Sequence, residues 1–416
     1  MPLYPVYALL FADSGLSPAQ VSSLFVIWSV TAVVFEVPSG VWADVFSRRW
    51  LLTLGPLLTA AGFALWTLFP SYPVFAAGFV LWGLGSSLRS GTWEALVYEE
   101  LRRLGAKASY ARLVGRAEAM GTTAVLVATA VAAPVMGAGG YAALGAASVA
   151  ACLLCSAVSW TLPESRGTRP RTSSAPSPSP SPVADGPGGD ARTEAQPEPE
   201  PETEVEEEEE EPSLRRVVSE GWEQVRRAPG VRGALALSVV LMGVTALDEY
   251  VPYLAASTGV AAAAVPLLVL MVSAGDAAGG WMAGRGLRWL MPAPAVAGIC
   301  MVAGALAAAA GRAEGLLLVG AAFGVLQWAM AAADARLQER ISDRSRATVT
   351  SLAGWGSEVL SVAIFAGYGA GSLWAGHGAL FAVAGVPYVV MTAVLYCSAR
   401  RRRRGRGRDR GRGEVA

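Results

Sequence analysis

Long apolar runs separated by short polar turns make up most of the chain. After the first residues, one run covers Ala19 to Ala43 and the next Trp50 to Phe69. Others follow at roughly 73–98, 114–136, 141–162, 231–256, 260–284, 289–310, 315–336, 348–374 and 378–399. Crossing a hydrocarbon core of about 30 Å takes roughly 20 helical residues, and each run is long enough. Met1 to Ala12 is apolar and aromatic but reaches only about 18 Å as a helix, too short to cross. Asp13-Ser-Gly-Leu-Ser-Pro18 then reads as a turn leading into a helix start. The opening segment is therefore read as a first span whose amino-terminal half is missing. Counting it, the pattern predicts an all-α membrane protein of about twelve spans.

Polar positions divide these spans into two sets. Residues 1–162 hold spans 1–6 and residues 231–399 hold spans 7–12, with a polar insert at 163–230 between them. Ser-Pro and Pro-Glu alternation and the run Glu206 to Glu211 cannot bury a core, so most of the insert is expected to be disordered. Its end differs. Over 213–227, Leu214, Val217, Val218, Trp222 and Val225 share a helical face beside Arg215, Arg216, Arg226 and Arg227, a pattern suited to a helix on a membrane surface. The basic tail, 400–416, is an arginine-glycine segment that would attract anionic lipid. No nucleic-acid partner is expected for it.

Composition changes this picture only in detail. The chain has 416 residues, 53% hydrophobic and 16% charged, which places it in the membrane class. The net charge of zero hides an acidic insert that cancels a basic tail. Arginine far outnumbers lysine and asparagine is absent, the coding bias of a GC-rich bacterial genome. Arginine and lysine also orient the bundle. One set of turns carries Arg48, Arg49, Arg102, Arg103, Lys107, Arg112, Arg116, Arg285, Arg288, Arg340, Arg344 and Arg346. The alternate turns, around 13–18, 70–73, 137–140, 256–259, 311–314 and 375–378, carry only Arg312. The first set is read as cytoplasmic, with both termini on that side of a bacterial cell membrane. Cys152, Cys155, Cys300 and Cys397 lie in apolar runs and are read as packing groups. No metal site or cofactor is expected, and no secretory cleavage pattern precedes the first span.

The tightest turn is the most informative one. Gly40-Val-Trp-Ala-Asp-Val-Phe-Ser-Arg-Arg joins two spans through a hairpin too short for a soluble domain. Gly40 is expected where two helices approach closely. Asp44, Arg48 and Arg49 are expected to join the turn to helix ends and charged loops. The halves also echo each other. Trp93-Glu94-Ala95 with Glu99 is matched by Ala333-Asp334-Ala335 with Glu339, and Arg116-Ala117 by Arg346-Ala347. Such echoes indicate a duplicated six-helix unit.

Gly-x-x-x-Asp-x-x-x-Arg-Arg between the second and third spans resembles the loop motif of the major facilitator superfamily of secondary transporters. Gly40, Asp44, Arg48 and Arg49 match it; Val45 replaces the family's arginine and Ser47 its second glycine. The resemblance implies two pseudo-symmetric six-helix halves around a central cavity, with alternating access by rocking of the halves. It also implies a cytoplasmic gate of Gly40, Asp44, Arg48, Arg49, Glu94 and Asp334, in which Glu94 bonds the arginine hairpin. Glu36-Val-Pro-Ser-Gly and Arg89-Ser-Gly-Thr-Trp-Glu-Ala-Leu-Val-Tyr look similar to bacterial drug-exporter-like members.

Ionisable groups within spans are costly, so each is a functional candidate. Glu36 would be a proton carrier or the fixed partner of an arginine. Arg89, at mid-depth in the fourth span, matches the position where the superfamily couples protonation to transport; a structural ion pair is the alternative. Asp248 and Glu249, beside Tyr250 and Tyr253, point about 100° apart, so one is expected to face a water-filled cavity. Asp276 and Glu358 are the other cavity candidates of the second half, with Gln327 a polar liner. His377, the only histidine, is expected to occupy an ordinary turn.

No phosphate-cradling Gly-x-x-x-x-Gly-Lys-Ser/Thr loop is present, so ATP is not the expected energy source. Gly-x-Ser-x-Gly and zinc-helix patterns are missing too, and no enzyme activity is expected. The expected function is proton-coupled export of small amphipathic, drug-like molecules by a monomer embedded in membrane lipid. Proton-coupled uptake of a nutrient, or a transport-inactive sensor or scaffold, are the alternatives.

Overall fold

The polar turn at 13–18 folds as its residues dictate. Gly15 takes a φ of +93°, which a side chain disfavours, and Ser17 then caps the next helix. Gln20 N–H donates to Ser17 Oγ at 3.3 Å and Ser17 N–H to Gln20 Oε1 at 2.9 Å, a reciprocal capping box with Pro18 in the first turn. In this computed structural model, residues 1–164, 226, 229–283, 285, 289–338 and 346–413 are described. The expected surface helix at 213–227 and nearly all of the insert lie outside them, as do the side chains of the basic tail.

Among the described residues every regular element is helical. The first half holds α1 (Tyr7–Asp13), α2 (Pro18–Val45), α3 (Arg48–Leu68), α4 (Tyr72–Arg89), α5 (Thr92–Arg103) and α6 (Tyr110–Trp160). The second holds α7 (Pro229–Asp248), α8 (Val251–Ala256), α9 (Val265–Trp281), α10 (Ala293–Ala309), α11 (Gly315–Gln338), α12 (Arg346–Gly371) and α13 (His377–Gly413). Seven helical stretches among the described residues are long and apolar enough to cross a membrane, and Ala293–Ala309 is a shorter apolar one.

Four expected spans differ in detail. The run 73–98 is broken after Arg89, where Gly91 turns at φ +72° and opens α5. The runs 114–136 and 141–162 are continuous in α6 except for non-helical Gly139 and Gly140, which supply the turn between them. The run 231–256 breaks between Asp248 and Val251. Pro252 explains that break, because its ring clashes with the carbonyl four residues earlier, that of Asp248, and it offers no N–H.

Helices pack within each half first: α3 on α4 and α6, α10 on α11 and α13, and α9 on α11. Glycines let the backbones meet. A Cβ at Gly62 would lie 2.9 Å from Gly78 O, and one at Gly304 2.6 Å from Gly315 O, at equivalent crossings in the two halves. The halves then join along α2 with α12 and α6 with α9. The first half buries an aromatic cluster at the charge-poor end, in which Phe11 lies 4.2 Å from Phe75 and Trp66 4.7 Å from Phe79, centroid to centroid.

Candidate functional site

The break before Pro252 places Asp248 and Glu249 beside a cavity of about 470 Å³ between the halves. Asp276 reaches the same cavity from α9, Gln327 from α11 and Glu358 from α12. The first half closes it with Tyr4, Trp28, Ser29 and the Thr122–Leu126 stretch of α6. Five sequence candidates, spread over more than a hundred residues, thus converge on one space. Four of them are carboxyl groups, and among the described residues no arginine, lysine or histidine lines the cavity.

Each carboxyl has a distinct setting. Glu249 accepts a hydrogen bond from the Tyr7 hydroxyl of the opposite half, and Tyr4 of that half lies nearby on the same wall. Glu358 faces the same cavity as Ser29 of α2. Asp248 and Asp276 have no hydrogen bond or ion pair among the described residues, and lie close enough to repel each other when charged. The indole N–H of Trp28 is also buried without a partner.

The remaining candidates lie off the cavity wall. Glu36, exposed on α2, is near enough to Glu358 for like-charge repulsion. Arg89 is exposed at the last turn of α4, ahead of the Gly91 turn, so neither mid-depth cavity lining nor an ion pair with Glu36 is seen. At the arginine-rich end, Arg48 pairs with Glu99 of α5 rather than with Glu94, which is exposed. Arg48 N–H donates to Glu164 Oε1 at 2.7 Å, and the Ser47 hydroxyl also donates to Glu164. The Arg49 guanidinium lies 5.2 Å from the centroid of Trp160. A Cβ at Gly40 would meet nothing within 4 Å, so no helix crowds it in this conformation. Asp334 is exposed on α11, and the Asp44 side chain falls outside the described residues.

The charge-poor end is built otherwise. Ser22 and Tyr250 share a hydroxyl–hydroxyl hydrogen bond of 2.7 Å, and Tyr253 Oη donates to Ala8 O at 3.0 Å, both between halves. Tyr250 stacks on Tyr368 at 3.6 Å, and Phe25 of α2 packs against both Tyr250 and Phe365 at 5.3 Å. His377 is no bystander in a turn. Its Nδ1 bonds Tyr368 Oη at 2.8 Å and its ring stacks on Tyr253 at 5.0 Å, which steadies this seam. Sequence reasoning missed Tyr4, Tyr7, Ser22 and Ser29; their only signal is a hydroxyl on an apolar segment.

A second recess of about 510 Å³ lies wholly within the second half, between α9, α10 and α11. It is apolar, with Arg285 its one charged liner, and it touches only one half. The smaller central cavity is the functional candidate, because it combines ionisable groups with walls from both halves.

Two helical groups enclosing a polar cavity inside an apolar bundle define a multi-pass membrane transport protein. The chain belongs to the Major Facilitator Superfamily, whose sequence model matches residues 1–366. It is a transporter, not an enzyme. Among solved structures, a mutant of the nucleoside transporter NupG aligns with a TM-score of 0.67 at 11% identity, covering 95% of this chain and 94% of that one. A bacterial homolog of the human lysosomal transporter Spinster, inward-facing and unoccupied, aligns at 0.60 and 14% identity, covering 96% and 93%. The D-xylose-proton symporter aligns at 0.59 and 14% identity, covering 94% of each chain. At these identities the likeness concerns the fold. No curated protein matches the chain by sequence.

Proposed function

We propose that this transporter exports a small molecule across the cell membrane in exchange for protons, by alternating access to the central cavity. The observation that carries the reading is the cavity itself: four carboxyl groups, unopposed by any basic liner among the described residues, in a space walled by both halves. Carboxyl groups inside a bilayer are costly, and without a cationic partner they bind and release protons as the surroundings change. The excess of arginine in one set of turns supports a cytoplasmic assignment for that end and for both termini. Hydrogen bonds between the halves concentrate toward the other end, which supports reading this conformation as closed to the outside. Rocking of the halves would then close the arginine-rich end, with the Arg48–Arg49 hairpin and its acidic partners as the moving seam.

Flux in vesicles of defined orientation tests this. Under an imposed proton gradient the protein is expected to move substrate toward the side from which protons are drawn, and Glu358→Gln is expected to bring coupled flux to background while the protein still inserts. Movement of substrate and protons in the same direction would assign uptake instead. Unchanged gradient-driven flux in Glu358→Gln would remove that carboxyl from the coupling.

A further inference from the structure

We infer that the cavity takes an organic cation: a compound with a basic or quaternary nitrogen on an apolar, partly aromatic body. This rests on the transport reading above and adds to it the charge of the cargo. Asp248 and Asp276 line the cavity with no hydrogen-bond or ion-pair partner among the described residues, while Glu249 accepts a hydrogen bond from the Tyr7 hydroxyl and Glu358 faces the cavity beside Ser29. A carboxylate taken out of water without a countercharge is unfavourable, so these groups hold protons or meet a positive charge that enters from outside. A cation supplies that charge and releases the protons, which makes cargo and proton competitors for the same groups. An anion would be repelled by whichever of the groups is charged, and a neutral compound would release none of the protons the groups hold.

Size and lining narrow the class further. Among the described residues no three acidic, histidine or cysteine side chains converge closely enough to hold a metal ion. The carboxyls are spread around about 470 Å³, within the roughly 300–1,000 Å³ typical of sites for drug-sized ligands. Tyr4, Trp28, Phe323 and Phe365 place aromatic rings in the same wall, and aromatic faces attract cations. The Trp28 indole N–H in this wall is buried without a partner.

Three compounds of similar shape and different charge test the inference on the purified full chain in detergent: tetraphenylphosphonium, triphenylphosphine oxide and tetraphenylborate. Calorimetry is expected to show saturable binding of the phosphonium only, weakening as pH falls because protons compete. Asp248→Asn and Asp276→Asn are expected to weaken it by roughly tenfold each, the effect of losing about 1.4 kcal/mol. Equal binding of all three compounds, preference for the oxide or the borate, or unchanged affinity in both variants would overturn the charge assignment. Those results would leave transport through the cavity intact. Conversely, pH-dependent phosphonium binding with no flux of it in vesicles would uphold the charge assignment and break the transport reading.

Discussion

The two ends of the bundle use different chemistry. At the charge-poor end, hydroxyls and aromatic rings cross from half to half: Tyr7 to Glu249, Ser22 to Tyr250, Tyr253 to Ala8, Phe25 to Tyr250. At the arginine-rich end the described ion pair and hydrogen bonds stay within a half, as in Arg48 with Glu99 and Glu164. Neutral, close-packed contacts make a seam that excludes water and needs a shape change to open. Charged groups half-exposed to solvent make weak contacts that are easily exchanged. Under the proposed alternating access one end is sealed at a time, and the difference between the ends supports reading the charge-poor end as the sealed one here.

The comparison can be broken most strongly at Glu249. Glu249→Ala removes the Tyr7 hydrogen bond across the seam, worth about 1–3 kcal/mol. The expected result is a large shift toward charge-poor-end opening, read as faster labelling of a cysteine placed at Ser22; unchanged labelling would show that the seam does not depend on this carboxyl. Ser22→Ala deletes one neutral hydroxyl bond, worth about 1 kcal/mol, and is expected to raise opening by roughly fivefold in spin-label populations. Glu36→Gln, next to the cavity wall rather than on it, is expected to alter coupled flux less than Glu358→Gln; an equal loss would make Glu36 a full member of the site. The smallest effect belongs to Arg48→Ala. Its ion pair with Glu99 is partly solvent-exposed, so melting in detergent is expected to change by less than about 1 kcal/mol. A larger loss of stability would mean that the hairpin holds its half together, not merely its gate.

Much of this was legible because the bilayer constrains sequence so strongly. Long apolar runs, the polar insert and the arginine asymmetry are each readable without knowing any contact. Asp248, Asp276 and Glu358 stood out because an ionisable group in an apolar run is an exception in need of a reason. What joins them was hidden. Tyr7 and Glu249 are separated by 242 positions, and nothing local in either segment names the other. The Arg48 partner shows a second limit: Glu94 and Glu99 belong to one helix, but five residues at about 100° each turn the side chain by roughly 140°. Only the docking of α5 on α3 decides which one meets the arginine. The break at Asp248 was readable in principle from Pro252, yet the unbroken hydrophobicity around it favoured a single span.

Distances between spin labels at the two ends test the account most directly. One pair, at Arg103 and Asp334, reports the arginine-rich end; the other, at Ser71 and Ala310, reports the charge-poor end. On adding tetraphenylphosphonium or changing pH, the two distances are expected to move in opposite senses, one shortening as the other lengthens. Distances that both stay fixed, or that lengthen together, would contradict two halves rocking about a shared cavity.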